Sequence, residues 1–434
     1  MRNRVLYKNP APNLRLFVVL ILVLRIISYF MLSEDVSITQ ALKAGLRVGL
    51  TVTVISACIL QQFSDKKPHY KYSYPLPMWL YGAYLLFGTL SLLWTTSVNS
   101  SVVQLAMDLE GFVFAFFFMR MVLGYQWQYP GGYFDLPKVM APAISTIAIG
   151  FFIGMYINPD LFYRLTHGGS EARLGGFIIN PNELGMLLVV GFATLLPLLQ
   201  KDGRYRISRI ILIIGLMYLV VLTGSRSSFA GMMLVLAVYA GYHQSKYLKF
   251  VLGGAIAVMI PAIGYSVFVK QGDVQEVMNM TGRIPFWRDL LTYNFPKEPW
   301  IGYGYMRIDY SDKFESLNAY AGAMTHNTFL QVLLGLGLVG LLIVFAQLST
   351  FFHALRSHKN KMLSQQAALI FIPILINSFT EFGIFGETNY GILFYLFLIF
   401  SLSVEPVKAG SRIIGRPDTN AKQPDLSFRP ATAA

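Results

Sequence analysis

The sequence predicts an all-α polytopic membrane protein, with about twelve transmembrane helices and one large external loop holding short amphipathic helices. Three observations predict it. Of 434 residues, 55% are hydrophobic and only 13% charged, whereas soluble domains carry about 25% charged residues. The mean hydropathy is +0.52. Apolar stretches of roughly 17 to 25 residues, enough to cross about 30 Å of hydrocarbon, recur along nearly the whole chain. Lys and Arg are also divided unequally between alternate connections.

In order, the expected spans are 14–32, 42–60, 76–95, 101–123, 139–157, 176–199, 210–223, 227–242, 250–269, 328–348, 366–380 and 388–404. Met1 to Asn13 leads into a first span long enough to remain as an anchor. The second holds the single cysteine, Cys58, so neither a disulfide framework nor a cysteine metal site is available. The seventh and eighth are short and joined by the tight turn Gly224-Ser225-Arg226-Ser227-Ser228. The organisation is therefore nine spans over 1–269, a polar and aromatic external segment over 270–325, and three spans over 326–404. The residues 405–434, with Pro406, Pro417, Pro424 and Pro430, read as a disordered cytoplasmic tail.

The net charge of +13 does not point to nucleic acid, because its placement follows membrane topology. With the N-terminus in the cytoplasm, the inner connections hold more than twice as many Lys and Arg as the outer ones. Three outer connections, 33–41, 96–100 and 381–387, hold none. This is the positive-inside pattern, and it puts both termini in the cytoplasm and 270–325 outside. The basic residues that remain outside need another reason.

Arg173 precedes Asn180-Pro181-Asn182, which reads either as a helix break opening an outward cavity or as a helix start capped by Asn180. Arg226 sits at the outer turn beside a helix N-terminus, a place for an anion or for a lipid phosphate. Arg283 and Arg288 lie on a short amphipathic helix with Phe286, Leu290 and Tyr293 as its apolar stripe, and Asp289 is a candidate partner for Arg288. His326 closes the external segment, and imidazole is the natural base near neutral pH.

The external segment is nearly balanced in charge, so a positive site requires a few arginines to converge. Under the derived topology these four arginines and the histidine fall on one side at about one depth. Guanidinium forks match phosphate oxygens bidentately, and several together suit a diphosphate. The implied substrate is an anionic, membrane-embedded donor. The long loop carries no Asp-x-Asp pair, Asp309 and Asp312 being spaced otherwise, which disfavours a metal-dependent nucleotide-sugar mechanism.

Arg173 with Gly175-Gly176 and Asn180-Pro181-Asn182, Gly224-Ser225-Arg226, Thr281-Gly282-Arg283, Trp287-Arg288, Gly302-Tyr303-Gly304, and His326-Asn327 followed by Gly335, Gly337 and Gly340 together resemble the lipopolysaccharide O-antigen ligase and O-antigen polymerase family. The resemblance covers about Ala172 to Gly340. The family's pattern often carries an acidic residue between His-Asn and the glycine; here that stretch is uncharged.

The resemblance implies a GT-C-like, metal-independent, inverting glycosyltransferase of the bacterial inner membrane, working on the periplasmic face without a cofactor. Its donor would be a glycan on undecaprenyl diphosphate and its acceptor a hydroxyl of lipid A core. Arg173, Arg226, Arg283 and Arg288 would hold the diphosphate, His326 would deprotonate the acceptor, and Asn182, Trp287 and Asn327 would support them. A repeat-unit polymerase with the same donor is the alternative. A lipid-linked sugar transporter or flippase is a third reading, because Arg25, Lys43, Arg47, Asp108, Glu110 and Arg120 lie in or near spans, although no internal repeat is visible.

Overall fold

The computed structural model describes residues 10–63, 68–166, 171–199, 205–242, 246, 250, 253–254, 257, 280, 282–308, 313–316 and 324–407. Its elements are α1 (Pro12–Ile27), α2 (Val36–Gln62), β1 (His69–Tyr72), α3 (Leu76–Leu90), α4 (Val98–Gln128), α5 (Leu136–Ile157), α6 (Pro159–Phe162), β2 (Tyr163–Thr166), β3 (Glu171–Leu174), α7 (Pro181–Leu195), α8 (Arg206–Thr223), α9 (Arg226–Tyr242), α10 (Arg283–Asp289), α11 (Thr328–Ser357), α12 (Lys361–Asn377), α13 (Tyr390–Ser403) and β4 (Val404–Val407). Eleven of the twelve expected spans fall on helices. Among the described residues, 7 helices are long and apolar enough to cross a membrane. The expected ninth span, 250–269, lies almost wholly outside the described residues.

Lipid replaces water around such a bundle, so burial rather than polarity separates inner from outer helices. α7 is an inner helix: 78% of its span is buried, against 28% for α8. α13 is also central, with all of its 14 residues buried. It is apolar all round, as a helix enclosed by other helices must be. At about 1.5 Å per residue it is roughly 21 Å long, shorter than a bilayer core. Its last turn passes directly into β4, which pairs antiparallel with β1 from His69↔Val407 to Tyr72↔Val404. Residues 405–407 are therefore strand rather than tail, because the ladder supplies partners for their backbone groups.

α11 departs from a regular span at Gly337, whose φ of 64° and ψ of −164° interrupt the helix. A loop segment, 299–304, fills the interruption. Leu338 and Val339 donate their N–H groups to the carbonyls of Pro299 and Trp300, and Tyr303 and Gly304 donate to the carbonyls of Leu334 and Gly335. A side chain at Gly337 or Gly302 would collide with main-chain atoms, the added Cβ lying 2.3 Å from Trp300 and 2.5 Å from Gly335 respectively. Thus the glycine-punctuated run after His326 and the Gly302-Tyr303-Gly304 element form one backbone seam.

The same segment carries α10. Phe286 and Leu290 are buried with Ile308, Leu330 and Leu334, which docks the short helix on the first turns of α11. Tyr293, the third residue of the expected stripe, is instead 41% exposed. Residues Leu290–Asn294 form a π turn, and its wider winding swings Tyr293 outward and Asn294 inward.

Candidate functional site

Connections from distant parts of the chain meet at one end of the bundle. Asn180 caps α7 by accepting from the Asn182 N–H, with Pro181 in the first turn, so this motif is a helix start and not a break. The cap leaves the Asn182 side chain facing outward from the helix end. α8 ends in Gly224, in the left-handed conformation, and α9 begins at Arg226. β2 and β3 form a hairpin that carries Arg173. His326 occupies left-handed backbone, φ 44°, uncommon for a residue with a side chain. Neighbouring bonds hold it there: Trp287 Nε1 donates to the Thr325 carbonyl at 2.6 Å, Asn327 caps Leu330, and the Thr328 N–H donates to the Ser378 carbonyl at 2.9 Å.

At the centre is Glu381, in the connection between α12 and α13, only 4% exposed. Its Oε2 lies 2.5 Å from His326 Nδ1. Its Oε1 accepts from Arg283 Nη2 at 3.1 Å and from Asn182 Nδ2 at 2.9 Å. Arg283 also donates to the Thr380 carbonyl. Asn182 Oδ1 in turn accepts from Arg173 Nη2 at 2.7 Å, while Arg173 Nε donates to the Thr223 carbonyl at 2.8 Å. Arg173, Asn182, Glu381, Arg283 and His326 are thus one hydrogen-bonded chain built from five separate elements and connections.

The electrostatics follow from burial and crowding. Burial alone would raise the Glu381 carboxyl; the hydrogen bond and charge of His326, then Arg283 and Asn182, outweigh it and hold the group below the ordinary carboxylate range. Arg173 is pushed below the usual guanidinium value by burial and by the neighbouring charges of Arg226 and Arg283, against Glu171 and Glu381. Arginines stay charged under such shifts. The site therefore gathers Arg173, Arg226 and Arg283 about the central carboxylate of Glu381, with Glu171 beside Arg173 and Glu183 within charge range of Glu381.

Of the residues singled out in the sequence, the structure brings Arg173, Asn182, Arg283 and His326 into bonded contact and places Arg226 within charge range of Arg173. Trp287 and Asn327 act on the backbone beside His326. Arg288 does not join this chain: it sits on the exposed face of α10. Its neighbour Asp289 is buried and accepts from Ser316 Oγ at 3.0 Å. Consecutive residues on a helix diverge by about 100°, so a buried Asp289 and an exposed Arg288 face different ways. Sequence reasoning passed over Glu381. Its only signal was an acidic residue in a short connection devoid of basic ones.

Arg25, Arg47, Asp108 and Glu110, within the spans, each have partners. Arg25, fully buried, forms two 2.7 Å bonds to Glu110, which also accepts from Thr51 at 2.5 Å. Arg47 stacks 4.3 Å from the Tyr29 ring centroid and donates to the Ser28 carbonyl at the end of α1. Asp108 accepts from Tyr305 at 2.7 Å and from Thr388. Among the described residues, no three His, Cys, Asp or Glu side chains are grouped as a metal site.

The architecture defines a mostly helical, multi-pass membrane protein, with arginines, a histidine and a buried carboxylate joined at one end of its bundle. Residues 210–345 match the family model described as O-antigen ligase. The match includes Arg226, Arg283, Arg288 and His326, whereas Arg173, Asn182 and Glu381 lie outside it. The chain is also 25% identical over 266 residues to a protein of Acinetobacter baylyi (strain ATCC 33305 / BD413 / ADP1) named ComP-specific O-oligosaccharyltransferase. That alignment covers 56% of this chain and 47% of the relative, so the chain spans about half the length of the curated relative it matches. The likeness to O-antigen ligases is carried by the family model, over residues 210–345.

Proposed function

We propose that the protein is a metal-independent, inverting glycosyltransferase that moves a glycan from undecaprenyl diphosphate to a sugar hydroxyl of lipid A core. It crosses the inner membrane about twelve times in a GT-C-like arrangement, with both termini cytoplasmic and the site on the periplasmic face. One observation carries this reading: Arg173, Arg283 and His326 converge on the Asn182–Glu381 pair, so cations suited to a diphosphate adjoin an imidazole.

The chemistry needs only these groups. His326 takes the proton of the acceptor hydroxyl as its oxygen attacks the anomeric carbon from the face opposite the leaving group. The bond from that carbon to the diphosphate oxygen breaks, and its electron pair leaves with undecaprenyl diphosphate. Arg173, Arg226 and Arg283 stabilise the charge that develops there, which replaces both a metal ion and a general acid. Exposed Arg288 meets the outer part of the same donor. Positioned base catalysis contributes about 10²- to 10⁴-fold.

The relative's name supports a second reading of the acceptor, an oxygen on a molecule other than lipid A core. A repeat-unit polymerase differs from both only in accepting a second lipid-linked glycan. Purified protein incubated with undecaprenyl-diphosphate-linked glycan and, separately, lipid A core, a second lipid-linked glycan or ComP distinguishes them. Transfer to core alone supports the ligase; elongation or ComP modification without core transfer replaces it. His326→Ala is expected to lower transfer by about 10²-fold or more with donor binding retained, and wild-type turnover in that variant removes His326 from the mechanism.

A further inference from the structure

Glu381 is a buried carboxylate with two oxygens in different service. Oε2 faces His326 Nδ1 at 2.5 Å, and Oε1 receives Arg283 and Asn182. The side chains are nearly enclosed, Glu381 5% and His326 13% exposed. An ionised carboxylate only accepts hydrogen bonds, so Nδ1 carries the proton of the pair, and in the neutral ring the lone pair is then on Nε2. The main chain of His326 is itself in left-handed backbone, a conformation that persists only where neighbours impose it.

We propose that Glu381 is the positioning residue of this site: it fixes the tautomer and orientation of His326 so that Nε2 accepts the proton of the acceptor hydroxyl. The same carboxylate ties that base to Arg283 and, through Asn182, to Arg173, so the proton-accepting side and the diphosphate-holding side form one unit. The inference rests on the reading of His326 as the base. When Nε2 takes the proton, the ring becomes an imidazolium with Nδ1–H still on Glu381, and the ion pair offsets the new charge. Glu381 itself gains no proton. The charged and titratable groups that face it are His326, Arg283 on α10, Arg173 on β3, Glu183 on α7 and Tyr390 on α13.

The test compares wild type, Glu381→Gln, Glu381→Asp, His326→Ala and the His326→Ala/Glu381→Gln double variant, with undecaprenyl-diphosphate-linked glycan and the acceptor that wild type uses. Glu381→Gln is expected to lower kcat by about 10²- to 10⁴-fold with donor KM changed by less than about threefold, since an Arg-to-diphosphate contact made equally in ground and transition states acts on KM. The acid limb of its kcat profile is expected to move to lower pH, because a carboxylate paired with the ring is replaced by a neutral amide. Glu381→Asp keeps the charge, so its kcat falls while its acid limb stays near the wild-type position. The double variant is expected to be no slower than His326→Ala, because Glu381 acts through the ring.

Wild-type kcat in Glu381→Gln, or losses that multiply in the double variant, overturn the proposal while leaving His326 as the base. Equal losses in the Gln and Asp variants with an unmoved acid limb also overturn it, as those mark a purely structural carboxylate. Full activity of His326→Ala sinks the underlying reading and this inference together. Should the Gln variant not fold in detergent, the Asp variant alone decides: an acid limb displaced as a neutral residue would displace it refutes the role of charge.

Discussion

In the Arg25–Glu110 cluster one guanidinium meets one carboxylate through two parallel bonds, with Phe114 4.4 Å over the cation and Thr51 on a carboxylate oxygen. At Glu381 one carboxylate is divided among an imidazole, a guanidinium and an amide, and two further arginines stand close by. Both regions are buried and both contain an arginine–carboxylate pair. The first is a bidentate pair held by its immediate neighbours, which suits a fastening between α1, α2 and α4. The second joins side chains from five separate elements and connections through one shared carboxylate, which suits a site that several loops assemble. The way each carboxylate is shared separates the two, where burial alone does not.

That contrast can be broken experimentally. The largest effect is expected at the bidentate pair: Arg25→Met leaves Glu110 buried without its guanidinium, a loss of about 3–5 kcal/mol, read as a lower Tm in detergent. Adding Glu110→Leu is expected to recover most of that loss, with transfer per folded molecule unchanged. A double variant that stays stable yet loses transfer would make the inner cluster part of the site. Next in size is Gly337→Ala, which combines a left-handed residue with a Cβ pressed on the Trp300 backbone. A cost of about 1–3 kcal/mol is expected, and wild-type Tm would mean that the seam opens freely.

The smallest effect is in acid. The Glu381 carboxyl is held below its ordinary range, so the stability it contributes is fully present above the unfolded value, about 4.3, and is lost as pH falls through the lower folded value. Wild-type Tm is expected to fall more steeply than that of Glu381→Gln between about pH 5 and pH 3, the window on either side of that unfolded value. Parallel curves would mean that Glu381 titrates alike in the folded and unfolded chain.

The helical framework was legible because the lipid solvent imposes long apolar runs, and those runs appear in the sequence whatever their neighbours are. Arg173, Arg283 and His326 were legible because a cation on the side that topology depletes calls for a reason. Glu381 was not, because a carboxylate in a short connection is ordinary until burial and three donors surround it, and His326 lies 55 residues away. Arg288 is conspicuous in the sequence, but which way it faces is set by the docking of Phe286 and Leu290. The break in α11 needed the 299–304 segment, which hydropathy treats as an unrelated loop.

The seam between 299–304 and 334–339 is made of main-chain bonds, indifferent to most side chains on either strand of it. Its glycines are irreplaceable, yet the residues between its two halves are unconstrained by it. A lineage could therefore exchange side chains along the seam while the imidazole keeps its station.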